Sequence, residues 1–513
     1  MSRDCIQIIR RGRVLRLRDF TPRTTVLDWL RLEERSTGTK EACAEGDCGA
    51  CTVVLARRRG DRVVHEPVNS CIAFLGQIDG AELITVEDLA GSGPDGSGPE
   101  KSGALHPVQA ALAQGHGSQC GFCTPGIVMS LFAHYHRVSD DKPRDHAPSR
   151  DEIDEVLAGN LCRCTGYRPI VDAATASLAA PAADRFARSA PERLAALREL
   201  EDGQDVLVGD ETSFFAAPAN EDSLAALLEQ HPDATIVAGA TDVGLWVTKK
   251  LAALPKIVHV GRVAGLDAVT DTADTLTLGA ALPLARARPL LGGLDPDIDE
   301  LMRRFGSTQV RTSGTVGGNI ANGSPIGDLA PVLIALGATI ELRKGARVRT
   351  VPVEDFFVAY GKQDRETGEF VRRLVVPKPA ADTRLRVFKI TKRMDEDISA
   401  VMGAFAFTLR GDRIASARIV SARIAFGGMA GVPKRATAVE TALAGAPVAD
   451  PATWRAAAER IGDDFTPLTD QRGSAAYRLQ VAKTIVIKAL AEIAGVPSAT
   501  TRVRPREVAR VAS

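Results

Sequence analysis

Cys43, Cys48 and Cys51 are spaced as C-x4-C-x2-C, and Cys71 follows at a distance. Four thiols in this arrangement are the ligand set of a plant-type 2Fe-2S cluster, held by cysteine thiolates. Gly46 and Gly49 lie inside the loop. Glycine there lets the backbone curl and aim N–H groups at sulfur, and such bonds tune the reduction potential. A zinc ribbon is the rival reading, although it prefers paired short knuckles. A second group consists of Cys120-Gly-Phe-Cys123 and Cys162-Arg-Cys164. Its C-x-C pair is too tight for an ordinary zinc knuckle. A redox dithiol at Cys120 and Cys123 is a rival that leaves Cys162 and Cys164 unexplained. Two 2Fe-2S clusters on eight of the nine cysteines are therefore expected. Cys5 reads as a small core or surface thiol.

The elements that must position these thiols differ along the chain. Before Gly91, runs such as Thr52-Val-Val-Leu55 and Arg62-Val-Val64 predict a small sheet domain. Between Leu105 and Leu178 helices dominate. Thr124 is expected as an N-cap followed by Pro125, and Ile127, Val128, Leu131, Phe132 and Tyr135 recur at helical spacing. Ser149 and Glu152 make a capping box. Cys120 and Cys123 thus precede one helix while Cys162 and Cys164 follow another, and a positive helix N-terminus suits an anionic cluster. Gly91 to Gly103 reads as a turn-rich connector, and Ala179 to Gly209 as a linker with some helix and no strand patterning. From Thr235 to Pro377 strands alternate with helices. Val401 to Leu409 and Ile414 to Ala425 predict a hairpin through Gly411-Asp412, with helices filling Arg435 to Ala494.

At 513 residues the chain exceeds one hydrophobic core, which suggests three or four domains. Lysine plus arginine (64) equals aspartate plus glutamate (64), which argues against nucleic acid held by bulk charge. No segment is apolar enough for a signal-peptide core or a membrane span, so the chain is expected in the cytoplasm, where clustered cysteines serve metal or redox chemistry rather than disulfides.

Two further loops carry glycine. Thr235 to Ala238 reads as a strand, Gly239 to Asp242 as a turn and Val243 to Leu251 as a helix, an arrangement that offers backbone N–H groups to a pyrophosphate. Thr315-Val-Gly-Gly-Asn319 and Ser324-Pro-Ile-Gly-Asp328 read as a second glycine loop open to a ligand. The literal G-x-G-x-x-G at Gly91 to Gly96 has neither a strand before it nor a helix after it, and is rejected as a dinucleotide fingerprint.

With Gln119-Cys-Gly-Phe-Cys-Thr-Pro-Gly126 and Asn160-Leu-Cys-Arg-Cys-Thr-Gly-Tyr167, the chain resembles the xanthine dehydrogenase and aldehyde oxidase family of molybdenum hydroxylases. The resemblance runs from about residue 5 to 495 and includes Ala425-Phe-Gly-Gly-Met-Ala-Gly431. It implies an α+β multidomain chain: a β-grasp ferredoxin-like domain (1–90), a helical-bundle 2Fe-2S domain (91–180), a linker (181–209), a non-Rossmann α/β FAD-binding domain (210–380), an α+β flavoprotein C-terminal domain (381–495) and a tail (496–513).

The same resemblance implies metal ligation by Cys43, Cys48, Cys51, Cys71, Cys120, Cys123, Cys162 and Cys164. It implies FAD contacts at Val237, Ala238, Gly239, Ala240, Thr241, Asp242, Val243, Gly244, Phe305, Thr315, Val316, Gly317, Gly318, Asn319, Asp328, Val371 and Lys389. Gln119 matches a residue that contacts the pterin, and Arg393 to Ile398 a loop where NAD approaches. No residue need act as a general acid or base. After Ala494 only a short polar tail follows, so molybdopterin is expected on a large partner subunit, in a heterotetramer of two small and two large subunits. Electrons from purine oxidation on the partner would reach NAD through both clusters and FAD. The rivals are a related hydroxylase of aldehydes, N-heterocycles or acyl thioesters, a stand-alone NADH-dependent carrier, and a structural zinc protein.

Overall fold

β-Branched runs build the first sheet. Ile6–Arg10 (β1) and Arg13–Leu17 (β2) form one hairpin, and Thr52–Arg59 (β3) and Arg62–Asn69 (β4) another. Glu82–Ile84 (β5) enters parallel to β1 and antiparallel to β3, which gives the order β2-β1-β5-β3-β4 expected of a β-grasp domain. The computed structural model describes residues 2–89, 105–137, 148–179, 184–411, 416–500 and 502. The Gly91 to Gly103 connector with its rejected glycine motif, the turn at Asp412 and most of the tail lie outside the described residues.

Four helices follow: Pro107–Gln114, Thr124–Tyr135, Arg150–Leu157 and Arg168–Ser177. The Ser149–Glu152 capping box forms in both directions. Thr124, however, is not the N-cap: Cys123 holds that position, and the Thr124 hydroxyl pairs instead with Ser118 Oγ at 2.8 Å. Ile127, Leu131, Phe132, Ile153 and Ile170 share one core. Each such side chain stabilises the module by about 1.5–3 kcal/mol relative to exposure.

The stretch expected as a linker ends in a strand. Val206–Gly209 (β6) pairs antiparallel with Phe214–Ala217 (β7), and its alternating burial is only four residues long, too short a pattern to read in sequence. Thr235–Val237 (β8) and Lys256–His259 (β9) complete a sheet of order β6-β7-β9-β8, with β9 parallel to both of its neighbours. The helix expected to reach Leu251 stops at Thr248, because the Ala252 N–H turns back to the Trp246 carbonyl and Leu251 adopts φ 55°. Residues 1–265 together with 306–315 form one compact unit.

Residues 266–305 and 316–513 form the second unit. Val269–Asp271 (β10), Thr275–Gly279 (β11), Thr339–Lys344 (β12), Arg347–Pro352 (β13) and Phe370–Pro377 (β16) make an antiparallel sheet in the order β10-β11-β16-β12-β13. Phe357–Ala359 (β14) and Lys362–Gln363 (β15) pair beside it in sequence as a small hairpin. Thr383–Ile390 (β17), Val401–Arg410 (β18), Arg418–Gly427 (β19) and Lys434–Arg435 (β20) form an antiparallel sheet packed on helices such as Ala475–Ile493, around Phe405, Phe407, Phe426 and Trp454. Among the described residues the second strand of the expected hairpin begins at Arg418, paired opposite Arg410, while Ile414 lies outside them. Among the described residues no helix is long and apolar enough to cross a membrane.

Candidate functional sites

The β3–β4 hairpin brings Cys51 and Cys71 together. Its register sets Thr52 opposite Asn69, so the cysteine just before β3 and the one just beyond β4 emerge side by side, both buried. Cys43 and Cys48 come from the half-buried loop, where the Cys48 N–H donates to Cys43 Sγ at 3.4 Å. The four thiols contact one another in the order Cys48, Cys43, Cys71, Cys51. Hydrogen bonding from Cys48 and then Cys71 holds Cys43 far below the ordinary thiol range. The bond to Cys43 pushes Cys48 up, those to Cys43 and Cys51 push Cys71 up, and the bond from Cys71 lowers Cys51. Asn69 Nδ2 donates to the Gly46 carbonyl at 2.7 Å and fixes the loop. Gly46 and Gly49 have φ 79° and 67°, as a loop curled around its contents requires.

Of the second four, Cys123 caps the helix Thr124–Tyr135, and Cys162 and Cys164 lie just ahead of Arg168–Ser177. The Cys162 N–H donates to Tyr167 Oη at 2.8 Å, and its Sγ shares a 3.2 Å hydrogen bond with Thr165 Oγ1. The thiols pair as Cys120 with Cys164 and Cys123 with Cys162. Burial, then the bond to Cys162, pushes Cys123 up to about 12, while the Phe122 N–H and the Cys164 thiol lower Cys120. Cys120 and Cys164 are exposed, as are Phe122 and Leu161. All nine cysteines are free. Two all-sulfur donor sets that meet backbone N–H groups, with no disulfide competing, fit 2Fe-2S clusters.

The expected flavin residues fall in both units. In the first, Val237 ends β8, and Ala238 to Asp242 turn into the helix Val243–Thr248. A Cβ at Gly239 would lie 1.8 Å from the Ser313 carbonyl oxygen, so this turn and the Ser313-Gly314-Thr315 segment touch through backbone. Gln77 Nε2 donates to the Ala238 carbonyl at 2.7 Å, and a Cβ at Gly244 would meet the Ile72 carbonyl oxygen at 2.6 Å. The turn is thus held by the segment that starts at Cys71.

In the second unit, Val316 to Asn319 do not form a loop. They belong to the helix Val316–Ala321, and the missing side chain of Gly317 admits Ala280, whose Cβ would lie 2.4 Å from an added Cβ. Gly318 is exposed, and Asn319 Oδ1 is buried without a hydrogen-bond partner, an acceptor open to a ligand donor. Asp328 sits beyond the Ser324–Gly327 turn, which is pinned by the Gly428 N–H to the Pro325 carbonyl at 2.8 Å. Lys389, which as a strand residue would ordinarily be solvated, is buried and donates to Asp328 Oδ2 at 2.5 Å and Ser399 Oγ at 3.0 Å. Arg304, next to Phe305, donates to the Lys389 and Met394 carbonyls. Val371 is buried on β16 opposite Leu342. The orphaned Asn319 oxygen and the close backbone turn at Gly239 suit a large polar ligand such as FAD in each part of the set.

One cluster with metal-ligand composition, His106, His136 and Asp184, is buried in the first unit. Both Nε2 atoms lie 2.9 Å from Asp184 Oδ2. The Val108 N–H donates to His106 Nδ1 at 3.2 Å, which leaves the ring proton on Nε2 and occupies that atom in the bond to Asp184. Burial alone would raise the Asp184 carboxyl, but the hydrogen bonds from His106 and His136 hold it well below the ordinary carboxylate range. This is a structural clamp, not a metal centre.

Three segments match known families. Residues 85–175 match a 2Fe-2S binding domain, residues 210–379 the FAD binding domain in molybdopterin dehydrogenase, and residues 386–493 the CO dehydrogenase flavoprotein C-terminal domain. Xanthine dehydrogenase 2 of Arabidopsis thaliana is 31% identical over 504 residues, 84% of this chain and 35% of that protein. Xanthine dehydrogenase of Emericella nidulans is 31% identical over 543 residues, 93% of this chain and 38% of that protein. The chain thus spans about a third of the length of the curated relatives it matches. Quinoline 2-oxidoreductase from Pseudomonas putida 86 is 27% identical, with a TM-score of 0.50, over 56% of this chain and 97% of that chain. A carbon monoxide dehydrogenase from Hydrogenophaga pseudoflava, also 27% identical with a TM-score of 0.50, covers 54% and 95%.

The chain belongs to the molybdenum hydroxylase family. Its matched segments are the iron-sulfur and flavin parts of that family. Membership also frames the residues that sequence reading missed. Asn69, Gln77 and Ser399 brace loops of the candidate sites from positions distant in sequence. Their isolated polar side chains carry no periodic or spacing signal.

Proposed function

We propose that this chain is the small subunit of a xanthine dehydrogenase, paired with a large molybdopterin subunit in a heterotetramer of two copies of each, in the cytoplasm. The observation that carries the reading is the bracing of the Val237–Gly244 turn by Gln77 and Ile72, a few residues beyond Cys71. Iron-sulfur and flavin residues are thereby built into one piece of one chain. Relatives named xanthine dehydrogenase support the substrate.

When bound, the clusters and FAD supply the one-electron and hydride chemistry that links hypoxanthine and xanthine oxidation on the partner to reduction of NAD. The chain's own residues bind and orient. Cys43, Cys48, Cys51 and Cys71 would hold one cluster, and Cys120, Cys123, Cys162 and Cys164 the other. The turn from Val237 to Gly244 with Thr315, and the set of Phe305, Val316 to Asn319, Asp328, Val371 and Lys389, would contact FAD. Gln119 would reach toward the pterin on the partner, and Arg393 to Ile398 would border the approach of NAD. The exposed Cys120 and Cys164 suit a cluster that exchanges electrons with a partner across a short gap.

A second reading keeps the electron chain and changes the substrate to an N-heterocycle, and the likeness to quinoline 2-oxidoreductase favours it over an aldehyde or an acyl thioester. The test is iron, flavin and subunit content of the native complex, followed by single-turnover reduction with xanthine and with quinoline in parallel. Flavin bleaching by xanthine and NADH formation support the first reading. Bleaching by quinoline alone sinks it.

A further inference from the structure

The two cysteine loops meet at one peptide. The Leu161 N–H, next in the chain to Cys162, donates to the Cys48 carbonyl at 3.0 Å. Asn160 Nδ2 donates to the following carbonyl, that of Gly49, at 3.1 Å. Side chains would prevent this approach: a Cβ at Gly49 would lie 2.0 Å from the Gly159 carbonyl oxygen, and one at Gly126 2.1 Å from that of Gly49. Backbone from three segments therefore converges on the bond between Cys48 and Gly49.

Asn160 is 2% exposed, and its neighbours fix the direction of its amide. The Ser130 hydroxyl donates to Asn160 Oδ1 at 2.6 Å. Gln309 Nε2 donates toward the same oxygen at 3.1 Å, to Ser130 Oγ at 3.0 Å and to Thr52 Oγ1 at 3.1 Å. The Thr52 hydroxyl proton goes to the Gly49 carbonyl at 2.7 Å. With both hydroxyl protons assigned, Asn160 Oδ1 can only accept, and its Nδ2 must face Gly49. Gln309 is fully buried, and its Oε1 has no hydrogen-bond partner, an unfavourable arrangement that only the donor side of the amide offsets.

We propose that Asn160 is a positioning residue for electron exchange between the two clusters, with Ser130, Thr52 and Gln309 as its supports. The inference rests on the assignment of the eight cysteines as cluster ligands. The exchange moves one electron, the two clusters being reductant and oxidant, with no bond made or broken. A bonded link runs from Cys48 through its carbonyl to the Leu161 N–H and on to Cys162. Asn160 fixes that link because it is tied to Gly49 on one side and is covalently joined to Leu161 on the other.

The test uses the full chain with its cofactors, as wild type, Asn160→Ala and Gln309→Met. Iron and FAD content establish loading. Paramagnetic resonance of the reduced protein reads the magnetic interaction between clusters, and rapid-mixing absorbance reads the lag between their reductions. We expect Asn160→Ala to keep both cluster signals, lose the interaction and slow the exchange by about tenfold. Gln309→Met should shift both readouts the same way by less. Unchanged interaction and lag in a fully loaded Asn160→Ala overturn the inference and leave the functional reading intact. Loss of a cluster in Asn160→Ala with an unaltered Gln309→Met overturns it too, by reducing Asn160 to a structural role. A wild type without cluster signals overturns the functional reading and this inference together.

Discussion

Lys389 Nζ lies 2.5 Å from Asp328 Oδ2, with both side chains buried and Ser399 Oγ bonded to each. Removing the cation alone strands a buried carboxylate, at a cost of about 3–5 kcal/mol. Lys389→Met is therefore expected to lower the urea midpoint and the FAD content while both clusters stay loaded. Lys389→Met combined with Asp328→Leu should recover part of the stability and none of the flavin. Full flavin retention in the single variant would show that Lys389 braces the fold only.

Acid should weaken the first unit through histidines. Burial, with nearby charges, holds His65 and His136 below the ordinary imidazole range and His259 at about 3. Folded, they stay neutral where the unfolded chain takes up protons. Their contribution is thus complete above about pH 6.5 and is lost progressively as pH falls below it toward each group's lowered folded value. The lowered Asp184 carboxyl has its window further down, beneath about pH 4. Melting temperature should be flat from about pH 8 to 7 and fall between about pH 6.5 and 5. His259→Gln should reduce the slope by one group, and an unaltered slope would count against its burial as neutral imidazole.

The two cysteine sets should fail separately. Cys71→Ser and Cys123→Ser are each expected to lose about two irons and one of two distinct resonance signals, because the thiols of each set bond to one another. Zinc in place of iron in the wild type would revive the ribbon reading. Loss of all iron in either variant would contradict two independent sites.

Gly239→Ala should separate flavin from iron. Its Cβ would fall 1.8 Å from the Ser313 carbonyl oxygen, and only backbone movement relieves that contact. A destabilisation of about 1–3 kcal/mol is expected, with FAD content falling and cluster absorbance kept. Equal loss of flavin and iron would indicate general unfolding.

Much of the cluster architecture is legible in the sequence. Cysteine spacing, the glycines between the cysteines and the Ser149 capping box are local signals, and local geometry expresses them directly. Sequence misleads where a partner lies far away in the chain. The Val316 to Asn319 stretch reads as a loop until Ala280 is seen packed against Gly317 in a helix, and nothing local to Lys389 signals that Asp328 and Ser399 bury it. β6 hides in alanine- and charge-rich sequence because its pairing with β7, not its own four residues, makes it a strand. The His106, His136 and Asp184 clamp is assembled from three separate segments, and no single-sequence pattern signals it.

The crowding at Gly49, Gly126 and Gly159 also limits how this chain can vary. A saturation library should be almost empty at these three positions, since an added carbon collides with backbone at the first two and with the Ser307 and Gln309 side chains at the third. Gly60, Gly80 and Gly166 have positive φ, as Gly49 does, but face open space, so asparagine should survive there. Diversification of the chain is thus steered toward its turns, while the meeting point of the two cysteine loops is frozen by the smallest residue available.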